Sequence, residues 1–272
     1  MKKIILCADD YALTAAVSSG IVELVELGRL SAVGCMTEAP FWTDKSNRLP
    51  ELRDRVDIGL HFNLTQGFGT PKSSLQQILR SALLGTVSEH AIEQSLHDQL
   101  DRFESVMGEA PDFVDGHQHV HVFPRFRHVL LHALARRYRL RRPWLRQVNP
   151  RIHPGPDWSK RVVLALLDAR FAHAAHEHGF TFNKTFAGTY SLQTDAGFDT
   201  LLRDWLSRAK SGELIMCHPG HVGANGNKSL YPADEIAATR PLEFSYLASV
   251  EFGAWLQQQQ IELVRFRDRE IV

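Results

Sequence analysis

Short apolar runs alternate with amphipathic stretches along this chain, and the two periods predict its elements. Lys3–Ala8 reads as a buried strand. Ala15–Leu27 reads as a helix, with Val17, Ile21, Leu24 and Val25 on one face and Gly28 as its stop. Further strands are predicted at Ser31–Thr37, Val56–Thr65, Phe113–His121, Trp144–Val148, Thr181–Phe186, Glu213–Cys217 and Ile261–Phe266. Helices fit between them at Leu49–Arg55, Ser88–Met107, Phe126–Tyr138, Trp158–His178, Asp199–Ala209 and Glu243–Gln258. Gly67–Ser74 and Gly220–Ala233 read as long loops. Strand–helix alternation implies parallel strands joined by crossover helices. About seven strands in a single domain, residues 1–272, predict an α/β fold related to the TIM barrel. An open doubly wound sheet is the alternative.

Composition narrows the class. The 272 residues are 44% hydrophobic and 23% charged, enough to bury a large core. A formal net charge of +0 argues against a general electrostatic grip on nucleic acid or anionic membrane. No run approaches the ~18–20 apolar residues of a membrane span. The opening stretch MKKIILCADDY meets two aspartates after five apolar residues. A secretory signal needs roughly 7–15. Cys7, Cys35 and Cys217 are widely spaced, with no CxxC, and read as buried thiols of a cytoplasmic protein.

The polar residues that end the strands change the picture. Active sites of parallel α/β folds collect at the C-terminal ends of strands. Here one strand ends in Asp9 and Asp10, another in His61 and Asn63, a third in VDGHQHVH and a late one in His218 and His221. Side chains alternate faces along a strand, so an extended VDGHQHVH puts His117, His119 and His121 on one face with Asp115. Adjacent carboxylates at a strand end point in different directions, and forced together they need a cation or a proton between them. A carboxylate with two imidazoles suits Zn²⁺ and other divalent metals, leaving positions open for water and substrate. The composition is that of a hydrolytic metal site.

ADDYALT, GLHFNLT, VDGHQHVHVFP and MCHPG, in this order, resemble the YdjC-like carbohydrate deacetylase family, which includes chitooligosaccharide deacetylases and hopanoid-biosynthesis deacetylases. The resemblance runs from Lys3 to about Leu263. TRPLEFSYL is similar to the family's Arg-x-x-Glu-Leu segment, with Phe244 where Leu is usual, and Tyr11 stands where Phe is commoner. NKTFAGTYSL looks closer to the hopanoid-associated branch. The resemblance implies a distorted, TIM-like (β/α) barrel and a metal-dependent amide hydrolase. It implies Asp10, His61 and His117 as ligands of one divalent ion, Mg²⁺ or Zn²⁺, with Asp9 as base and His218 as general acid. The backbone is expected to leave the sheet near Gly116, so that His119 and His121 line the pocket or stand behind the ligands. Asn63, Asp115, His121 and Arg240 are expected at the substrate or behind the ligands, with Arg240 orienting Asp9 or holding a substrate oxygen.

The implied reaction removes an N-acetyl group from an amino sugar, an N-acetylglucosamine-type oligosaccharide or glycolipid. The family expectation is a homodimer. Two rivals stand beside this reading. A metal-dependent phosphoesterase usually holds two or three metals, which needs more carboxylates than these strand ends supply. A non-catalytic carbohydrate- or metal-binding protein would need neither Asp9 nor His218. Outside the site, His173, His176 and His178 suit a helix C-terminus. The basic run Arg136–Pro143 reads as a solvated face, with anionic lipid or a phosphate as its alternative partner. Phe41–Thr43 and Trp144 read as core or dimer contacts, with a sugar-stacking aromatic as the alternative.

Overall fold

The apolar run at the N-terminus becomes the central strand, β1 (Lys2–Tyr11), and every residue from Ile4 to Tyr11 is buried. This computed structural model describes residues 1–68, 74–149, 158–190, 197–223, 234 and 236–268. The further strands are β2 (Ala32–Cys35), β3 (Asp57–Phe62), β4 (Phe113–Gly116), β5 (Trp144–Leu145), β6 (Thr185–Ala187), β7 (Glu213–Cys217) and β8 (Ile261–Leu263). All pair in parallel, in the order β5-β4-β3-β2-β1-β7-β6. The two ends of this path meet. Leu145 forms a parallel bridge with Phe182 and donates its backbone N–H to the Thr181 carbonyl at 2.8 Å. The sheet is therefore curled into a distorted TIM-like barrel. The short β8 lies alongside the start of β1, with Lys2 opposite Ile261.

The helices wrap this sheet as amphipathic covers. α1 (Ala15–Glu26) is capped by Thr14, whose hydroxyl accepts from the Val17 N–H, and it buries Val17, Ile21, Leu24 and Val25. The short α2 (Trp42–Lys45) and α3 (Leu49–Leu52) precede β3. Trp42 is a core residue, stacked on Phe103 with ring centroids 6.0 Å apart. α4 (Leu75–Leu84) was not predicted, although Ser74 and Gln77 form a reciprocal capping box at its start. α5 (Glu89–Met107) is capped by Ser88, ends at the left-handed Gly108 and buries Ile92, Leu96, Leu100 and Phe103. α6 (Phe126–Arg137), α7 (Trp158–Glu177) and α8 (Phe198–Arg208) follow. The single helix expected over Glu243–Gln258 is two, α9 (Arg240–Ala248) and α10 (Val250–Gln258). Ser249 between them is extended at ψ 147 and accepts from the Phe252 N–H, so it caps α10 instead of continuing α9.

The strand expected to run to His121 stops at Gly116. His117–Val122 form a tight turn in which Gln118 and His119 take φ of 53° and 58°. Left-handed backbone cannot continue a pleat, so the strand alternation of the histidines is lost. The long loops expected at Gly67–Ser74 and Gly220–Ala233 lie largely outside the described residues. At the N-terminal end of the barrel, Trp144 packs between Phe113 and Phe266, at 4.4 and 4.6 Å, and donates its indole N–H to Asp57. It is a core plug. The basic run is an ion-paired face: Arg136 meets Glu93, Arg137 meets Asp101 and Glu104, and Arg141 meets Glu109. No helix among the described residues is long and apolar enough to cross a membrane.

Candidate metal centre

The two aspartates that end β1 face one pocket because the strand is broken between them. Pairing with β2 shifts register between Ala8 and Tyr11, and Asp10 has φ 67°. This left-handed bulge cancels the alternation that would have sent the two carboxylates to opposite faces. Asp10, His61 from the end of β3 and His117 after β4 offer ligand atoms that all lie within 4.8 Å of one another. Nδ1 of His117 is 3.2 Å and Nε2 of His61 is 3.5 Å from Oδ1 of Asp10. That oxygen is buried and has no hydrogen-bond donor among the described residues. A buried carboxylate oxygen beside two imidazole nitrogens has the composition of a divalent-metal site.

Asp115 explains how His61 is set. Its Oδ1 lies 2.7 Å from Nδ1 of His61 and accepts a proton from it, which turns Nε2 toward Asp10 as the nitrogen that a cation would take in place of its proton. Burial disfavours charge on this ring, yet Asp115 and Asp9 outweigh it and lift His61 to about 9. Burial likewise disfavours charge on Asp10, but Arg240 and His117 hold its carboxyl well below the usual range. Nη2 of Arg240 reaches Oδ2 of Asp10 at 2.7 Å. Arg240 was expected to orient Asp9 or hold a substrate oxygen; the carboxylate it pairs with is Asp10, because α9 brings it over the end of β1 from the side of Asp234.

Asp9 has a different partner, Arg146, which follows β5. This arginine is fully buried inside the barrel. It grips both oxygens of Asp9 at 2.6 Å, reaches Asp115 at 2.7 Å and donates to Sγ of Cys7 at 3.0 Å. Against the effect of burial, this guanidinium holds the Asp9 carboxyl below the ordinary carboxylate range. Asp9, His61 and Asp115 form a second metal-sized group among the described residues, but Arg146 already neutralises its carboxylates. The first group is thus the one open to a metal.

His218 leaves the end of β7 with Nε2 at 4.0 Å from Oδ2 of Asp9, and its side chain is 18% exposed. Its backbone N–H donates to Oε2 of Glu243 at 2.6 Å, and Oε1 of Glu243 accepts from the Tyr190 hydroxyl at 2.6 Å. Asp9, Asp10, His61, His117, His218 and Arg240 line the same pocket. Asp115 sits behind it. Asn63 does not line it: its side-chain oxygen accepts from the N–H groups of Thr65 and Gln66, so it shapes the loop instead. His121 is buried below, 2.9 Å from the carbonyl of Arg146 and edge-on to Phe171. Burial draws it down to about 4. His221 is outside the pocket, on Glu23 and Phe244.

Sequence reasoning missed Arg146, Gln66 and the role of Glu243. A lone cation straight after the Trp-Leu of a buried strand was the available signal for Arg146.

A carbohydrate deacetylase of Mus musculus is 26% identical over 98% of this chain and 94% of its own length. A chitooligosaccharide deacetylase of Yersinia pestis bv. Antiqua (strain Angola) is 29% identical over 81% of this chain and 83% of its own. Among solved structures, an Enterococcus faecalis V583 protein provisionally described as a cellobiose-phosphate cleavage protein shares the fold, with TM-score 0.68, 20% identity and 98% of both chains covered. The catalytic domain of peptidoglycan N-acetylglucosamine deacetylase from Eubacterium rectale ATCC 33656 shares it at TM-score 0.52 and 9% identity, over 100% of this chain and 90% of that one. The family model described as YdjC-like protein matches residues 3–258, and the chain belongs to that family.

Proposed function

We propose that this protein is a metal-dependent hydrolase that removes the N-acetyl group from an amino sugar, giving acetate and a free amine. The observation that carries this reading is the grouping of Asp10, His61 and His117, with Asp9 and His218 beside it. The carbohydrate deacetylases among its relatives support the substrate class, an N-acetylglucosamine-type oligosaccharide or glycolipid. One divalent ion held by Asp10, His61 and His117 would lower the pKa of a bound water and polarise the amide carbonyl. Two imidazoles with one carboxylate favour Zn²⁺ over Mg²⁺, which prefers all-oxygen ligands.

The chain's own groups move the protons. Asp9 is ionised and aimed by its two-point contact with Arg146, and it takes the proton of the attacking water. So strongly held a carboxylate keeps a proton only briefly. His218, 4.0 Å away, is the neighbour that delivers one to the departing amine. An amine cannot leave as an amide anion, so this acid is required. A phosphoesterase with two metals is disfavoured because Arg146 occupies the second carboxylate group. A pure binding protein has no use for Asp9 beside His218.

We assign the activity to one domain over residues 1–272. The three free, buried cysteines suit the cytoplasm. A homodimer is the expected state, which light scattering on the eluted protein tests. The deciding assay is acetate release from a panel of N-acetylated sugars and glycolipids. Activity that is lost with chelator and restored by Zn²⁺ is expected. Acetate release indifferent to chelator on every substrate would overturn the metal-dependent reading.

A further inference from the structure

Buried polar atoms are nearly always hydrogen-bonded, and each one left alone costs about 1–3 kcal/mol. Three residues lining the pocket carry such an atom among the described residues: Asp10 Oδ1, Gln66 Nε2 and His119 Nδ1. The first faces the two imidazoles of the metal group. The other two have no such explanation.

Gln66 is 5% exposed and lines the pocket, yet its side-chain Nε2 is buried without a partner among the described residues. Its place is built. Asn63 Oδ1 accepts from the Gln66 N–H at 2.8 Å, and Asn63 Nδ2 donates to the Gln66 carbonyl at 2.9 Å. Asn63 is in turn gripped by Gln99, whose Oε1 accepts from its N–H and whose Nε2 donates to its carbonyl. The loop after β3 is thus locked through its backbone while Nε2 of Gln66 is left without an acceptor among the described residues. His119 comes from the neighbouring strand's end. Its backbone is left-handed, a costly conformation for a residue other than glycine, and its ring is fixed edge-on against Phe186 at 5.4 Å. Strained backbone and orphaned polar atoms on two adjacent loops of one pocket point to a ligand that supplies the missing partners.

We propose that Gln66 and His119 are substrate-positioning residues that hydrogen-bond the ring hydroxyls of the sugar bearing the acetamido group. A hydroxyl both donates and accepts, so it can satisfy an amide N–H and either tautomer of an imidazole. This inference rests on the proposed deacetylase reading and adds the residues that choose a hydroxylated ring over other acetamides.

The test uses the zinc-loaded full chain with Gln66→Leu and His119→Asn, asparagine being tolerant of left-handed backbone. The substrates are N,N′-diacetylchitobiose and N-acetylcyclohexylamine, whose ring carries no hydroxyl. Each variant should raise KM for the sugar about tenfold, with a smaller effect on kcat. The ratio of kcat/KM for the sugar over the bare ring should fall by a similar factor. Metal content should stay constant. Because an orphaned amide is replaced by an apolar group of like shape, Gln66→Leu should melt no lower than wild type. A sugar KM within twofold of wild type, or a lower Tm with lost metal, overturns the proposal. Wild type that releases no acetate from any sugar sinks the deacetylase reading and this inference with it, a result distinct from both.

Discussion

At the scale of single residues, the pocket depends on which neighbour holds each charged group. Asp115 touches no substrate in this reading; it orients His61 through a 2.7 Å contact. Asp115→Asn should therefore keep the fold and weaken metal binding about 10–100-fold, as loss of a ligand's hydrogen-bond partner does elsewhere. Asp10→Ala, His61→Ala and His117→Ala should each abolish it, and metal content after dialysis against graded chelator separates the two grades. Asp9→Asn is the contrasting case. It leaves all three candidate ligands in place, so metal content should stay near wild type while turnover falls about 10²–10⁴-fold. Near-normal turnover would make Asp9 a structural partner of Arg146. His218→Ala should slow an N-acetyl sugar far more than an acetamide with an activated leaving group. Equal losses on both, with lost metal, would make His218 a ligand.

At the scale of elements, strand ends deliver the chemistry and glycines let the strands approach. A Cβ on Gly59 in β3 would overlap the ring of Phe113 in β4. Phe113 cannot retreat, because Trp144 is stacked on its other side. Gly59→Ala should thus cost about 1–3 kcal/mol, as overpacking does, without touching the metal group. Calorimetry paired with metal analysis checks this: a lower Tm with full metal content is expected, and an unchanged Tm would show that the core yields there. The apolar runs made most strands and helices legible, and the polar residues ending them made Asp9, Asp10, His61 and His218 legible as candidates, while the family resemblance singled out His117 from its neighbouring histidines. The failures have physical causes. Ser249 breaks a continuous apolar period by preferring its capping geometry to the helix. The positive φ of Asp10, Gln118 and His119 overrides strand alternation, and single-residue backbone choices leave no periodic trace. Arg146 is easily passed over because composition places arginine on the surface, while here three acidic and thiol partners repay its burial.

At the scale of the whole molecule, the barrel closes at one weak seam, between β5 and the segment leading to β6. Among the described residues one short bridge, Leu145 to Phe182, joins the strands there, with a further backbone bond from the Phe186 N–H to the Asn149 carbonyl at 3.3 Å. Side chains do the rest. Asn183 accepts from the Gln147 N–H at 2.8 Å and donates to its carbonyl at 2.9 Å. Asp168 of α7 accepts from the Val148 N–H at 2.7 Å through Oδ1, while its Oδ2 is buried without a partner among the described residues. Burial raises Asp168 to about 6, against the pull of the Val148 N–H and of the Gln147 side chain. The folded state therefore binds this proton more tightly than the unfolded chain. The stability it contributes is fully present below about pH 4 and is lost as the pH rises through about 6. Above that, a charged Asp168 at the seam opposes closure by on the order of 2–3 kcal/mol, at about 1.4 kcal/mol for each pH unit separating the two states. Asp168→Asn keeps the acceptor for Val148, replaces the orphaned oxygen with a donor and removes the charge. Its Tm relative to wild type should rise between pH 4 and pH 8, by roughly 5–10 °C at about 2–4 °C per kcal/mol for a chain of this size. Comparing the two proteins at each pH cancels the titration of every other group they share. A Tm difference that stays flat across that range would mean that the carboxylate at the seam is solvated or paired, and that closure does not depend on its protonation.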